Sequence, residues 1–381
     1  MTMPRKPPML EVVDLEVTRG GARVLTVPRL AIRQGEILAI IGPNGAGKST
    51  LLLALALLLK PTRGKVHIAG EEATPGNTLR LRRRMAVVFQ EPLLLDTSVA
   101  QNVATGLKLR GLGRAECEAR VAAWLERFGI ASLAHRRARS LSGGEAQRTS
   151  LARAFAMEPE VLFLDEPFSA LDAPTRAAVT ADLLAVLRAT RTTAVLVTHD
   201  RDEALALGDK VGVIIGGELR QLGTPAEVFG APVDTDVAGF VGVETIAPGE
   251  ILARENGLAQ VRVGHRLAEV ASDLDPGTRV FLCLRPEDVA LHVLSRAGQE
   301  VARSSARNLL PGRVLSVTPW RGQLRVAVDC GFQLAASLTH RSVAEMGIAE
   351  GVSVVASFKA TSAHLIPRVE SPNGREGQNG E

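Results

Sequence analysis

At 381 residues, 46% hydrophobic and 23% charged, the chain exceeds the usual size of one domain and can bury a sizeable core, which excludes a disordered chain and predicts two domains. A formal net charge of +4, with basic residues scattered apart from short clusters at Arg82–Arg84 and Arg136–Arg139, reads as solvated helix faces and argues against nucleic acid as a partner. Three cysteines without a CxxC pair argue against a disulfide framework or a zinc site and fit a reducing cytoplasm. The longest apolar run, Leu51–Leu59, is about half of the ~20 residues that a bilayer-spanning helix needs, and Met1–Met9 lacks an apolar signal core, so any membrane part must come from a partner.

From Leu10 to about Phe240, short Val/Ile/Leu runs alternate with helical segments, the pattern of a mixed sheet covered by helices. Ile37–Ile41 reads as a buried strand. Directly after it, Gly42-Pro43-Asn44-Gly45-Ala46-Gly47-Lys48-Ser49-Thr50 fits GxxxxGK[ST] and leads into the apolar helix at Leu51. Glycines there let backbone N–H groups converge on phosphate oxygens, Lys48 neutralises β- and γ-phosphates, and Ser49 can bind Mg2+. Arg114–Phe128 and Thr175–Ala189 carry apolar residues at helical spacing and predict amphipathic helices, one on each side of a second buried strand, Val161–Leu164. That strand runs into two carboxylates. Beside a phosphate loop, Asp165 can hold Mg2+ through its water shell, and Glu166 can polarise the water that attacks the γ-phosphate; alternation along the strand is expected to aim the two apart. Ala194–Val197 is a third buried strand.

Composition shifts after about Ala231. Short alternating segments, among them Gly312–Thr318, Gln323–Asp329 and Val352–Phe358, predict a small β-barrel-like domain, with Ile246–Val293 and Arg313–Ile366 as candidate related halves. The polar, Gly/Asn-rich tail is expected to be disordered.

Leu141-Ser142-Gly143-Gly144-Glu145-Ala146-Gln147-Arg148, with Ser142 lying 23 residues before Asp165 (165 − 142), resembles the signature sequence of ABC ATPases. Gln90 in Val-Val-Phe-Gln-Glu-Pro, Ser169-Ala-Leu-Asp172 and His199 in Val-Thr-His-Asp match that family's other stations. The resemblance implies an α/β fold, an ABC-type P-loop ATPase core with a helical subdomain over residues 10–240, binding ATP and Mg2+. Two copies would pair head to tail, each ATP lying between one phosphate loop and the other copy's Ser142, Gly143 and Gly144, with Asp172 beside it. His199 would contact the γ-phosphate in cis, and Gln90 would sense Mg2+ and the attacking water. The sequence departs from the family's pattern twice: Glu145 stands where Gln is commoner for ribose contact, and Arg19 where an aromatic usually stacks on adenine, which leaves base preference open.

Phe281-Leu-Cys-Leu-Arg285-Pro-Glu-Asp288-Val resembles the TOBE β domain of importer ATPases for sugars, polyamines, iron and oxyanions. Ser305-Ala-Arg307-Asn308-Leu-Leu-Pro-Gly312 and Phe358-Lys359-Ala-Thr361 resemble the molybdate-binding Mop fold. These resemblances imply a small all-β, OB-like domain over residues 241–368, followed by the disordered tail 369–381. Ser305, Arg307, Lys359 and Thr361 are its candidate oxyanion ligands, since hydroxyls and cations are the donor types such an anion takes.

The expected function is the ATP-hydrolysing subunit of an ABC importer for tungstate or molybdate. It would work as a homodimer at the cytoplasmic face of the plasma (inner) membrane, peripheral to a transmembrane permease and indirectly served by a periplasmic or extracellular solute-binding protein. An importer for sulfate, iron, polyamine or sugar with a purely structural β domain is the alternative. A soluble ABC ATPase of DNA repair or translation is disfavoured by the single core and absence of a long heptad run, and an oxyanion sensor by the complete catalytic motifs.

Overall fold

A computed structural model describes residues 7–293 and 305–368. The tail expected to be disordered, 369–381, lies outside the described residues. The chain divides into two compact units, Met1–Val228 and Phe229–Glu381.

The first unit is built on one ten-stranded sheet. Its strands are β1 (Leu10–Arg19), β2 (Ala22–Ile32), β3 (Ile37–Ile41), β4 (Arg63–Ile68), β5 (Glu71–Glu72), β6 (Met85–Val88), β7 (Val161–Asp165), β8 (Thr193–Val197), β9 (Lys210–Ile215) and β10 (Glu218–Gly223). They lie in the order β5-β4-β1-β2-β10-β9-β3-β8-β7-β6. The run from β9 to β6 is parallel, and β3 and β8 are buried at every position, which is why the sequence shows them as unbroken apolar runs. The β1–β2 and β1–β4 pairs are antiparallel, and β1 alternates buried and exposed residues. Register sets Ile40 of β3 and Asp165 of β7 both against Val197 of β8. The segments that follow these three strands therefore emerge at one edge, outside the carboxyl ends of the parallel strands, where α/β sheets bind their ligands.

The helices of this unit are α1 (Lys48–Leu55), α2 (Thr78–Arg82), α3 (Val99–Leu109), α4 (Arg114–Arg127), α5 (Gly143–Phe155), α6 (Ala173–Thr190) and α7 (Arg201–Leu207). α4 buries Cys117, Val121, Trp124 and Leu125, the i, i+4, i+7, i+8 stripe that the sequence displays. Its Trp124 ring stacks on Phe155 of α5 at 5.1 Å and on Phe128 at 6.2 Å, forming the centre of the helical layer. α6 begins two residues before the predicted Thr175. Asp172 accepts the Thr175 N–H at 2.9 Å and so caps the helix, and Pro174 sits in its first turn, where a missing N–H costs nothing. α8 (Pro225–Gly230) follows.

The second unit contains α9 (Thr235–Val241) and two five-stranded antiparallel sheets. One joins β11 (Thr245–Glu255), β12 (Leu258–Val263), β13 (Arg266–Ala271), β14 (Arg279–Leu284) and β20 (His364–Pro367) in the order β13-β12-β11-β14-β20. The other joins β15 (Ala290–Val293), β16 (Asn308–Trp320), β17 (Gln323–Asp329), β18 (Gln333–Leu338) and β19 (Ser353–Phe358) in the order β15-β19-β16-β17-β18, with α10 (His340–Met346) between β18 and β19. The two halves anticipated from the sequence thus repeat one topology, but each contributes its fifth strand to the other's sheet. Both sheets share one core that includes Ile251, Val261 and Leu282 of the first and Val326, Leu334 and Phe358 of the second. Two buried polar residues tie them at equivalent places. Asn308, opening β16, exchanges hydrogen bonds with the Glu269 backbone of β13 (2.7 and 2.8 Å), and Thr245, opening β11, accepts the Ala335 N–H of β18 at 3.0 Å. Ala238 and Val243 of this unit pack with Cys283 and Ile366.

Candidate active site

The loop from Gly42 to Gly47 turns β3 into α1. At Gly42 a Cβ would collide with the Ile214 carbonyl, and Gly47 holds a φ of 101° that other residues rarely adopt, so both must be glycine for the loop to close this tightly. Lys48, on the first turn of α1, is buried, and its Nζ donates to the carbonyls of Gly42 and Pro43 at 2.9 Å each. Burial holds its pKa below the ordinary lysine value, while the carboxylates of Glu166 and Asp165 pull the other way.

Ser49 Oγ donates to Asp165 Oδ1 at 3.0 Å, so the hydroxyl and the carboxylate expected to share a metal are in contact across 116 residues of sequence. Burial raises the Asp165 pKa, the Ser49 hydrogen bond opposes this, and Glu166 adds to the rise. Hydroxyl, carboxylate and amide oxygens, from Ser49, Asp165 and Gln90, are the hard donors that Mg2+ takes.

Contrary to expectation, it is not strand alternation that aims Glu166. β7 ends at Asp165, and Glu166 takes a left-handed conformation, φ 45°, with its N–H on the Val197 carbonyl at 2.8 Å. This strained turn aims its Oε2 at His199 Nδ1, 3.1 Å away on the loop after β8. Arg19, Val24, Gln90 and Glu166, with Asn44, Gly45 and Gly47 to Thr50, line one cavity of 500 Å3. The sequence offered no sign of Val24, since an isolated valine in a strand carries no motif.

The signature residues and Asp172 are not among those lining this cavity, and Asp165 and His199 reach it only through their contacts with Ser49 and Glu166. Ser142 caps α5, accepting the Glu145 N–H at 3.3 Å, and Glu145 Oε2 accepts the Ser142 N–H at 2.7 Å. Glu145 is thus a capping-box residue, and the Ser142 N–H is the foremost cause of its lowered pKa; Glu and Gln fill that position alike. Asp172 caps α6.

In the second unit, Asn308 pairs with Phe358 in the β16–β19 ladder, so the Arg307 and Lys359 segments lie side by side. Arg307, however, is ion-paired with Glu269 at 2.7 Å, a residue no motif pointed to. A cavity of 320 Å3 there is lined by Arg307 and Glu269 but not by Ser305, Lys359 or Thr361, which are exposed.

Residues 25–169 match the ABC transporter family and residues 304–365 the TOBE domain. The molybdate/tungstate import ATP-binding protein WtpC of Pyrococcus horikoshii is 36% identical over 88% of this chain and 94% of its own. The Fe(3+) ions import ATP-binding protein FbpC of Agrobacterium fabrum is 34% identical over 85% and 88%. The sulfate/thiosulfate import ATP-binding protein CysA of Thermosynechococcus vestitus is 34% identical over 88% and 92%. Among solved structures, cbiO1 of Clostridium perfringens, part of an ABC transporter complex, superposes with a TM-score of 0.56 at 32% identity, covering 62% of this chain and 95% of that one. A dimeric ATP-binding cassette in a post-hydrolysis state with ADP and Pi superposes with a TM-score of 0.52 at 28% identity, covering 57% and 99%.

Proposed function

Because the chain belongs to the ATP-binding import subunits of ABC transporters, with a TOBE domain following its ATPase core in sequence, we propose that it hydrolyses ATP to drive uptake of molybdate or tungstate. The observation that carries the chemistry is the convergence of Lys48, the Ser49–Asp165 pair and the Glu166–His199 pair at the end of one phosphate loop. Lys48 exchanges its two carbonyl acceptors for β- and γ-phosphate oxygens. Glu166 accepts the proton of the attacking water, and His199, held by Glu166 through Nδ1, turns its other ring nitrogen to the γ-phosphate. Ser49, Asp165 and Gln90 would hold Mg2+, which supplies charge neutralisation at the phosphates. Arg19 and Val24, which line the same cavity as the phosphate loop, would receive the base.

The cavity receives no signature residue from its own chain, which supports a head-to-tail homodimer in which Ser142 to Gly144 reach the partner's nucleotide. An 840 Å3 groove on α3 and α4, lined by Ala104, Leu112, Val121 and Leu125 among others, supports docking of a permease. Among the described residues no helix is long and apolar enough to cross a membrane; the place at the cytoplasmic face of the membrane, peripheral to a permease, follows from the proposed role as an import subunit.

A second reading keeps the ATPase and changes the cargo. Arg307 already has an anion, Glu269, and relatives named for iron and sulfate import are nearly as similar, so a structural β unit serving another solute is the competitor. Uptake by the reconstituted transporter, with its permease and binding protein, decides between them. Molybdate or tungstate transport that stops with Glu166→Gln supports the proposal, and transport of sulfate or iron alone refutes the cargo.

A further inference from the structure

Behind the loop that carries His199 lies a charged cluster with no part in the chemistry above. Thr198 is buried; its hydroxyl donates to Glu203 Oε2 at 2.5 Å and accepts the Asp200 N–H at 3.0 Å. Asp200 divides its carboxylate. Oδ1 caps α7 by accepting the Asp202 and Glu203 N–H groups at 2.8 and 3.3 Å, and Oδ2 accepts from Arg176 Nη1 at 3.1 Å. Arg176, on the first turns of α6, sends Nη2 to the Leu171 carbonyl at 3.1 Å, and its buried Nε lies 4.0 Å from Glu203 Oε1 without a hydrogen bond. Burial raises the Glu203 pKa, and the Arg176 charge works against that rise.

The same turns of α6 touch the start of α5. A Cβ on Gly144 would lie 2.5 Å from Thr175 Cγ2, and one on Gly143 would lie 3.6 Å from Leu171 Cδ2. One guanidinium therefore joins the Leu171–Thr175 segment, which Gly143 and Gly144 pack against, to the loop that presents His199. That imidazole is 54% exposed, so its place against Glu166 depends on the loop beneath it.

We infer that Arg176 is a positioning residue for ATP hydrolysis, clamping the Leu171–Asp172 turn to the Thr198–Asp200 loop so that His199 keeps its contact with Glu166. The inference rests on the proposed roles of Glu166 and His199. An arginine suits the task because its planar fork serves two acceptors in different directions at once, which a lysine ammonium on a flexible stem does not reproduce. Without the clamp the loop samples arrangements in which His199 is misplaced, and such misplacement slows the chemical step more than it weakens ATP binding.

The test uses the purified full chain as wild type, Arg176→Ala, Arg176→Lys, Asp200→Asn and the Arg176→Ala/Asp200→Asn double variant, with Glu166→Gln as reference. Asp200→Asn keeps the oxygen that caps α7 and turns an amide N–H toward Arg176. ATP affinity, kcat, KM and melting temperature are measured for each. The expected result for Arg176→Ala is Kd and KM within about threefold of wild type and kcat lower by about tenfold or more, with part of kcat restored in Arg176→Lys. The double variant should be no slower than the slower single, because both changes break one connection. The inference is overturned if Arg176→Ala turns over within about threefold of wild type, if its loss merely follows the folded fraction, or if the two single losses multiply. Near-wild-type turnover by Glu166→Gln would instead overturn the base assignment, and with it the clamp as a device acting through Glu166, whereas a slow Glu166→Gln beside a near-wild-type Arg176→Ala overturns the clamp alone.

Discussion

Replacing Glu166 by Gln tests the proposed chemistry with little disturbance of the fold. The amide has the carboxylate's shape, occupies the same left-handed turn at φ 45°, and can keep a hydrogen bond to His199 Nδ1 through its oxygen. The phosphate loop, Lys48 and the Ser49–Asp165 pair are untouched. What disappears is the group that takes the water's proton. General-base contributions of about 10^2- to 10^4-fold correspond to roughly 3–5 kcal/mol of barrier. Hydrolysis should therefore slow at least ~100-fold, with Mg-ATP affinity close to wild type. Bound ATP that is not consumed should hold the two copies together. Steady-state phosphate release, nucleotide binding and gel filtration with and without Mg-ATP measure the three effects. Turnover within about threefold of wild type would refute the base assignment, and loss of ATP binding would show that Glu166 holds the loop instead.

Lys48→Ala should lose nucleotide binding, hydrolysis and ATP-dependent dimerisation together, and tight ATP binding by that variant would contradict the role of Lys48. In the wild type, burial depresses the Lys48 pKa, and bound phosphates favour its protonated form and raise it again. Affinity for ATP should then be full below the pKa of the free protein and fall as pH rises through the higher pKa of the complex; calorimetry between about pH 7 and 10 should find net proton uptake on binding. Trp124→Ala removes a ring stacked on Phe155 and Phe128 and should cost about 3–5 kcal/mol in denaturant unfolding, whereas a cost below about 1 kcal/mol would show that the helical layer collapses around the gap. Tungstate or molybdate should slow ATP hydrolysis by the assembled transporter through the Arg307 and Lys359 segments. Unchanged activity at about millimolar anion, or equal inhibition of an Arg307→Ala/Lys359→Ala variant, would place no control there.

Much of the fold was legible because it is written in short windows. Ile37–Ile41 and Ala194–Val197 are apolar throughout because both faces of β3 and β8 are covered, and the α4 stripe follows the helical repeat over 14 residues. The phosphate loop is legible for the same reason, since its geometry arises from neighbouring residues. The β segments at Gln323–Asp329 and Val352–Phe358 coincide closely with β17 and β19. Their partners could not be read, because an alternating segment specifies which side faces inward and not which strand lies beside it. Only the tertiary structure shows β15 and β20 crossing into each other's sheets.

The site divides along the same line. Sequence determined which residue types are present and their order, and through the signature spacing the kind of protein they belong to. Tertiary structure decided their company: Ser49 against Asp165, His199 against Glu166, and Glu269 on the Arg307 guanidinium, contacts that span 116, 33 and 38 residues. It also decided that a left-handed turn aims Glu166, and that Glu145 caps α5. Local geometry follows from backbone preference and periodicity within a few residues, whereas these pairings follow from the order and register of strands in a sheet, which no window of sequence contains.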